Sequence, residues 1–134
     1  VGMPLSDLID ACGGVKDAVK FVAGGPMTGT ALTGAESVVT KTTSGFLFLT
    51  REETNADAPT NCINCGKCAD VCPMKLMPMQ TEFYTNAKEY ENADKNGGVL
   101  SCIECGACTY ICPARRPLAQ AIKTAKENLR RKKA

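Results

Sequence analysis

The spacing of apolar residues predicts an amphipathic helix near each end of the chain. The first runs from about Leu5 to Cys12, has apolar side chains three or four positions apart, and is followed by Gly13-Gly14. The last is expected to begin at Pro117, because proline is well tolerated in a first helical turn. Its apolar side consists of Leu118, Ile122, Ala125 and Leu129. Each helix is therefore expected to bury one face and leave the other in water.

A third helix is predicted between these two, from about Pro78 to Lys95, with Asn96-Gly97-Gly98 as its C-terminal cap. Its apolar stripe consists of Met79, Phe83, Ala87 and Tyr90. The opposite face consists of Glu82, Lys88, Glu89, Glu91 and Asn92. We expect the stripe to face the core and Glu82 to face solvent.

Three short apolar segments near the N-terminus predict strands. Val19–Ala23 is apolar enough for a buried strand, and Ser37–Thr43 and Phe46–Thr50 are predicted to form a hairpin through Ser44-Gly45. The segment Gly24–Gly29, GGPMTG, contains three glycines. Its spacing is not that of a phosphate-binding motif and no clear helix follows it. A tight structural loop is therefore favoured over a ligand-binding loop.

The polar segment from Arg51 to Thr60 contains Pro59 and shows no periodicity, which is typical of a linker. The charge changes across it, since residues 1–60 contain four basic and seven acidic side chains and residues 61–134 contain twelve and seven. We therefore predict two parts, 1–50 and 61–134, joined by the linker 51–60. Aromatic residues make up only 5% of the chain and tryptophan is absent, so large core side chains are few.

Two cysteine runs in the second part share one spacing. Each follows C-x2-C-x2-C-x3-C-P, and the two begin 40 positions apart. The runs consist of Cys62, Cys65, Cys68 and Cys72, and of Cys102, Cys105, Cys108 and Cys112. This spacing is the signature of bacterial-type ferredoxins with two 4Fe-4S clusters. All eight cysteines are therefore predicted to be cluster ligands.

The fourth cysteine of each run is expected to serve the other cluster. Three thiolates two residues apart, on a loop bent by Gly66 or Gly106, can surround one cubane, whereas the fourth lies a helical turn further and points away. The first cluster is thus assigned to Cys62, Cys65, Cys68 and Cys112. The second is assigned to Cys102, Cys105, Cys108 and Cys72. Pro73 and Pro113 are expected to end the two short helices.

Zinc and disulfides are the competing uses of such cysteines. A third and a fourth cysteine in this register suit a cubane better than a tetrahedral zinc ion. Disulfides belong to secreted chains, and no signal peptide is visible. The chain has no histidine, which excludes a Rieske centre and a mixed cysteine–histidine zinc site. Eight thiolates reserved for iron favour a reducing compartment.

Two features lie outside the cysteine pattern. Cys12 belongs to neither run, and a buried, inert role is favoured over a redox role. Residues 115–134 contain eight basic side chains and one acidic side chain. A solvated helix end is favoured for this segment over docking to an anionic surface.

Taken in order, the motifs resemble those of the RnfC family, which belongs to the Rnf electron-transport complex. The resemblance rests on GGPMTG, CINCGKCADVCPMKLMP and CIECGACTYICPARRPLAQ. That family joins a flavin- and NADH-binding domain to a β-grasp domain (SLBB) and a helical two-cluster ferredoxin domain. The resemblance implies an α+β fold, with a partial β-grasp lobe in residues 1–50 and a mainly α-helical ferredoxin domain with two 4Fe-4S clusters in residues 61–134.

The resemblance also implies a function. The chain is expected to relay electrons through its two clusters within an ion-translocating NADH/ferredoxin oxidoreductase complex, and FMN and NADH are expected only in an N-terminal domain that the chain lacks. Other Rnf subunits are the expected partners, with ferredoxin as a further candidate. We expect a peripheral position at the cytoplasmic face of a bacterial or archaeal membrane, since no apolar run approaches the roughly 18 residues of a membrane helix.

Other proteins use the same cysteine pattern. The alternative function is that of an iron–sulfur subunit of a corrinoid reductase or a soluble ferredoxin-type carrier. Nucleic acid is not an expected partner, because no aromatic residue interleaves with the basic C-terminal segment.

Charges near the cysteines predict the order of reduction. Lys67, Arg115 and Arg116 lie near the ligands of the first cluster, whereas Glu104 lies inside the second binding loop. Positive charge favours the uptake of an electron, so the first cluster is expected to be reduced first.

Overall fold

The computed structural model describes residues 1–54 and 58–133. The chain divides into two compact units, Val1–Ala56 and Asp57–Ala134. A small antiparallel sheet lies in the first unit and the second is helical, so the fold is α+β, as predicted. The predicted linker 51–60 includes residues 55–57, which lie outside the described residues.

The first unit contains one helix and three strands. They are α1 (Leu5–Ala11), β1 (Ala18–Ala23), β2 (Thr30–Leu32) and β3 (Phe46–Thr50). The strand order is β2-β1-β3, and both neighbours run antiparallel to β1. The ring of Phe21 on β1 meets that of Phe48 on β3 edge to face at 5.6 Å. The strand predicted at Val19–Ala23 is confirmed, but its predicted burial is wrong, because only Val22, at 6% exposure, is buried among the residues of β1.

The GGPMTG segment is a tight connection between β1 and β2, as favoured from the sequence. The Gly29 N–H donates to the carbonyl of Gly25 at 2.8 Å. A Cβ on Gly29 would lie 2.5 Å from that carbonyl oxygen and 2.6 Å from Cγ1 of Val22. This close backbone approach requires glycine.

The predicted hairpin between Ser37–Thr43 and Phe46–Thr50 is wrong. Phe46–Thr50 pairs with β1 instead, and the earlier segment forms one isolated bridge, between Val38 and Pro4. Thr40 and Thr43 bond to each other through their hydroxyls at 2.8 Å and close a turn. Threonine side chains that bond locally in this way compete with strand pairing.

Cys12 follows α1 as its C-terminal cap and is exposed, so the prediction of a buried position is wrong. Its helical spacing from Leu5 and Leu8 had suggested burial. The helix ends at Ala11, however, and Gly13 and Gly14 turn the chain away with φ of 91° and 82°. Leu5 is the fully buried residue of this helix, with 0% exposure.

The second unit is built from helices. They are α2 (Lys67–Asp70), α3 (Pro78–Asn86), α4 (Tyr90–Gly97), a 3₁₀ turn (Val99–Ser101), α5 (Ala107–Ile111) and α6 (Leu118–Lys133). In the part of the chain that the structure describes, none of the helices has the length and apolar character needed to cross a membrane. The predicted apolar side of the last helix is confirmed. Its buried residues include Leu118, Ile122, Ala125 and Leu129, which belong to one core with Ala93 and Val99.

The single helix predicted from Pro78 to Lys95 is in fact two helices. The chain leaves α3 at Ala87 and turns through Lys88, whose φ is +60°, before α4 begins at Tyr90. Gly98 caps α4 in the left-handed conformation, with φ of 75°, as expected for a glycine at this position.

The buried face of α3 also differs from the prediction. Phe83 is 69% exposed, whereas Glu82 is 5% exposed, so the expected orientation of both side chains is wrong. The buried side consists of Pro78, Thr81, Glu82 and Thr85. Thr81 faces inwards because Gly97 of α4 packs closely against it, and Glu82 faces inwards towards Arg116.

Candidate iron–sulfur site

The two cysteine runs adopt the same backbone conformation. Both place non-glycine residues in the left-handed region at positions 40 residues apart: Asn64 and Glu104 (φ 54° and 58°), and Lys75 and Arg115 (φ 54° and 53°). Gly66 and Gly106 precede α2 and α5 with φ of 78° and 80°. Asn64 with Gly66, and Glu104 with Gly106, bend the two loops so that the first three cysteines of each can face one side.

The first cavity is lined by four cysteines from both runs. These are Cys62, Cys65, Cys68 and Cys112. Its remaining lining residues include Met79, Leu118 and Arg116. The cavity measures about 360 Å³ including its open mouth. Cys62 and Cys65 are exposed at the surface, whereas Cys68 is buried on α2.

The second cavity is lined by the other four cysteines of the two runs. These are Cys102, Cys105, Cys108 and Cys72. It measures about 400 Å³ including its mouth, and Glu104 and Ile122 lie on its wall. Cys108 is buried on α5, and the other three thiols are half-buried. The second set of thiols is therefore less exposed to water than the first.

The two cavities are related by the internal repeat. A shift of 40 residues maps every residue that lines the first cavity onto one that lines the second. The chemistry of one equivalent pair differs sharply, since Arg116 at the first cavity corresponds to Leu76 at the second. The repeat thus gives two similar sites with different charges at their walls.

Backbone N–H groups point at two of the sulfur atoms. The N–H of Leu76 donates to Sγ of Cys72 at 3.4 Å, and that of Glu104 donates to Sγ of Cys102 at 3.3 Å. Such bonds stabilise negative charge on sulfur, so they favour the thiolate.

Burial opposes the thiolate at three positions. Desolvation raises the pKa of Cys108 to about 11 and also raises the pKa of Cys68 and Cys102. In the free protein these groups are therefore protonated at neutral pH. A metal group bound by them must displace the protons, which links its affinity to pH.

An ion pair closes the side of the first cavity. Arg116 binds Glu82 of α3 through Nη2 and Oε1 at 2.8 Å and through Nε and Oε2 at 3.1 Å. Its Nη1 also donates to the carbonyl of Thr60 at 3.2 Å. The bond to Glu82 raises the pKa of Arg116, which therefore stays charged. This arrangement joins α3 to the loop that precedes Cys62.

A second ion pair supports the loop of the second cavity. Nζ of Lys126, on α6, lies 2.9 Å from Oε1 of Glu104 and 2.7 Å from the carbonyl oxygen of Cys102. Lys126 is 8% exposed. Sequence reasoning missed this residue, although it lies four positions after Ile122 and three before Leu129, on the buried side of the helical pattern.

The residues present fit a pair of iron–sulfur clusters. Each cavity offers four sulfur donors, the donor set of a 4Fe-4S cluster. Among the described residues, no three cysteine or carboxylate side chains converge as they would around a single metal ion. The thiols instead surround a space.

Comparisons with known proteins agree with this chemistry. A family model of a 4Fe-4S dicluster domain matches residues 54–113. The RnfC protein of the Na⁺-translocating ferredoxin:NAD⁺ oxidoreductase complex of Acetobacterium woodii is 42% identical over 130 residues, 96% of this chain. Its counterpart in the proton-translocating complex of Clostridium ljungdahlii is 41% identical over 131 residues, 97% of this chain. The counterpart in the ion-translocating complex of Rhodobacter capsulatus is 42% identical over 130 residues. The chain belongs to the RnfC family.

The resemblance to RnfC found in the motifs is therefore confirmed. The chain spans 29% of the length of the Acetobacterium and Clostridium proteins and 25% of the Rhodobacter protein. The match to RnfC includes both units of the structure, since it covers 96% of the chain.

Proposed function

We propose that this chain carries electrons through two 4Fe-4S clusters. In this proposal, Cys62, Cys65, Cys68 and Cys112 hold the first cluster. Cys102, Cys105, Cys108 and Cys72 hold the second. The observation that carries the proposal is the grouping of thiols, since each cavity is lined by three cysteines of one run and the last cysteine of the other.

A bound 4Fe-4S cluster supplies one-electron transfer. The residues of the chain determine how readily an electron is accepted at each site. Burial of Cys68, Cys102 and Cys108 disfavours added negative charge, whereas the N–H bonds to Cys72 and Cys102 favour it. The two sites also differ in solvent exposure and in the nearby cations, since Arg116 lies at the first cavity and Lys126 beside the second.

We further propose that the chain works within an Rnf-type ion-translocating oxidoreductase complex. The names of its relatives support this, since they are subunits of complexes that act on ferredoxin and NAD⁺. The proposed partners are other Rnf subunits and ferredoxin, with the chain peripheral to the cytoplasmic face of the membrane. FMN and NADH are proposed to bind outside residues 1–134. A corrinoid-reductase subunit or a soluble carrier remains the alternative.

We also propose that residues 1–50 form part of a β-grasp lobe and that residues 61–134 form the ferredoxin domain, joined by the linker 51–60. The antiparallel sheet with its helix supports the first assignment. The division of the chain between Ala56 and Asp57 supports the position of the linker.

The crossed ligand sets predict the effect of losing one cysteine. Anaerobically purified protein should contain about eight iron and eight sulfide per chain, as two cubanes require. Cys72→Ala should selectively damage the cluster at Cys102, Cys105 and Cys108, although Cys72 lies 30 positions before Cys102. Iron and sulfide analysis and EPR spectroscopy of the reduced protein measure both effects.

Cys12→Ala is the matched control, because Cys12 lines neither cavity. It should leave both EPR signals unchanged. Stoichiometric zinc in place of iron after anaerobic reconstitution would contradict the proposed function. A Cys72→Ala lesion confined to the cluster of Cys62 would contradict the crossed assignment alone.

A further inference from the structure

Lys126 is a buried cation beside the second cavity. It is 8% exposed, and its Nζ contacts two groups of the same loop, the carbonyl oxygen of Cys102 and the carboxylate of Glu104. Burying a lysine costs free energy unless its charge is paired and its donors are bonded. Here the loop that carries the thiols pairs the charge of Lys126 through Glu104 and accepts two hydrogen bonds from its ammonium group.

The conformation of Glu104 explains why the loop needs such a support. Glu104 adopts a left-handed conformation, with φ of 58°, and its N–H thereby donates to Sγ of Cys102 at 3.3 Å. Left-handed backbone is unfavourable for a glutamate, whereas asparagine tolerates it more readily. The equivalent residue of the first loop is Asn64, with φ of 54°.

The first loop also lacks a lysine at the position equivalent to Lys126. That position, 40 residues earlier, is occupied by Asn86, which is exposed at the end of α3. The first loop thus has Asn64, which is suited to the left-handed conformation, and the neighbouring helix has no lysine. The second loop combines a less suited residue with a buried lysine that binds its side chain.

The charge of Lys126 also affects reduction at the second cavity. An electron added at the second cavity adds one negative charge next to Glu104, which lies on the cavity wall. Lys126 neutralises this carboxylate at 2.9 Å and places a cation close to Cys102. Removing the ammonium group would expose the added electron to the glutamate charge and would release Glu104 from its bonded conformation. Both changes disfavour reduction.

We propose that Lys126 is a positioning residue of the second cluster site. Lys126 holds the loop of Cys102 and Glu104 in its bonded conformation and keeps the cluster at this site reducible. The inference rests on the proposed function, because it assumes a cluster in the second cavity. It assigns Lys126 a role in setting the reduction potential, beyond its contribution to the packing of α6.

Lys126→Met tests this directly, because methionine keeps the length and apolar stem of the side chain without its charge. The protein is titrated anaerobically with dithionite and mediators, and the reduced clusters are followed by EPR. At a fixed potential, the ratio of reduced to oxidised second cluster should fall about tenfold, which is about 59 mV for one electron. A Cys105→Ser variant identifies the signal of the second cluster.

Two lysine variants on the same helix are the controls. Lys126→Arg keeps the charge and should retain the wild-type ratio within about twofold. Lys132→Met removes an exposed lysine that pairs with Glu91 at 3.1 Å, and it should leave both clusters unchanged. If Lys126→Met matches Lys132→Met, or if it shifts both clusters equally, the inference is wrong.

The internal repeat supplies a test that does not depend on the folding of Lys126→Met. Asn64→Glu places an unsupported glutamate in the first loop and should lower the reduced fraction of the first cluster. Adding Asn86→Lys should restore it, and failure to do so contradicts the inference. Wild-type protein without two redox transitions would instead contradict the proposed function, so the two failures are distinguishable.

Discussion

At the scale of single residues, pairing neutralises charges that the sequence places near the two cavities. The predicted order of reduction treated Glu104 and Arg116 as isolated charges. In the structure, Glu104 pairs with Lys126 and Arg116 pairs with Glu82. Lys126 lies 22 residues from Glu104, and Glu82 lies 34 residues from Arg116. At such separations the spacing of charges along the sequence does not predict which of them pair. The order of reduction stays a prediction, and it now depends more on the greater exposure of Cys62 and Cys65.

The pair of Glu82 and Arg116 leads to a stability prediction. Arg116→Leu would leave Glu82, whose side chain is 7% exposed, buried and without its guanidinium partner. We expect a loss of about 2–3 kcal/mol in the free energy of unfolding, below the full value for a buried pair because Arg116 is partly exposed. Anaerobic urea unfolding of the cluster-loaded protein, followed by far-UV circular dichroism, measures it.

The second half of the chain suggests the rescue variant. The residues 40 positions from Glu82 and Arg116 are Ile122 and Leu76, which both line the second cavity. Glu82→Ile combined with Arg116→Leu should therefore recover most of the lost stability, because no buried charge remains. A double variant that is less stable than Arg116→Leu would show that the ion pair is needed for packing itself.

At the scale of elements, the contact between α3 and α4 depends on a glycine. A Cβ on Gly97 would overlap Oγ1 of Thr81 and lie 3.1 Å from its Cα, and Thr81 is 1% exposed. Gly97→Ala should therefore destabilise the protein by about 1–3 kcal/mol, although alanine has the higher helix propensity. Thermal unfolding under anaerobic conditions measures the change.

Thr81→Ala in the same chain should reduce this cost, because it removes the overlapping oxygen. Gly34→Ala is the control, since the space around Gly34 is open and its φ is not positive. A loss of stability in Gly34→Ala equal to that in Gly97→Ala would show that the contact with Thr81 is not the cause.

The sequence predicted helices well where a single face of the helix is buried, and poorly where a turn reverses the chain within a helical pattern. The last helix follows its apolar pattern because α6 buries a single side, with Leu118 and Leu129 inside. The segment from Pro78 to Lys95 fits a helical pattern throughout, but a turn at Lys88 redirects its second half. Since α4 and α6 both pack on α3, the face that carries Thr81 and Glu82 becomes the inner one.

At the scale of the whole molecule, the helical unit contains everything that lines the two cavities. Its core is formed within the unit by residues such as Val99, Leu118 and Leu129. We therefore expect a chain of residues 58–134 to bind about eight iron per molecule, with EPR signals like those of the full chain. Iron analysis and EPR test this, and aggregation of the shorter chain without clusters would contradict it.

The cysteines were the most predictable part of the molecule. Their spacing led to two sets of four, and the structure lines one cavity with each predicted set. The spacing of the eight cysteines is informative because they lie within two short loops and the turns that follow them, where the local sequence determines the backbone conformation. The sheet was less predictable, because β3 could pair either with Ser37–Thr43 or with β1, and only tertiary packing distinguishes these partners.

The composition of the two cavities has a consequence for biosynthesis. The cysteines that line the first cavity lie within residues 62–68 and at residue 112, and those that line the second lie at residue 72 and within residues 102–108. A nascent chain that has emerged only as far as α4 contains three of the four cysteines that line the first cavity and one of the four that line the second, so neither set is complete. Under the proposed function, complete iron loading must therefore wait for the second half of the repeat to leave the ribosome, after which both cysteine sets become complete almost together.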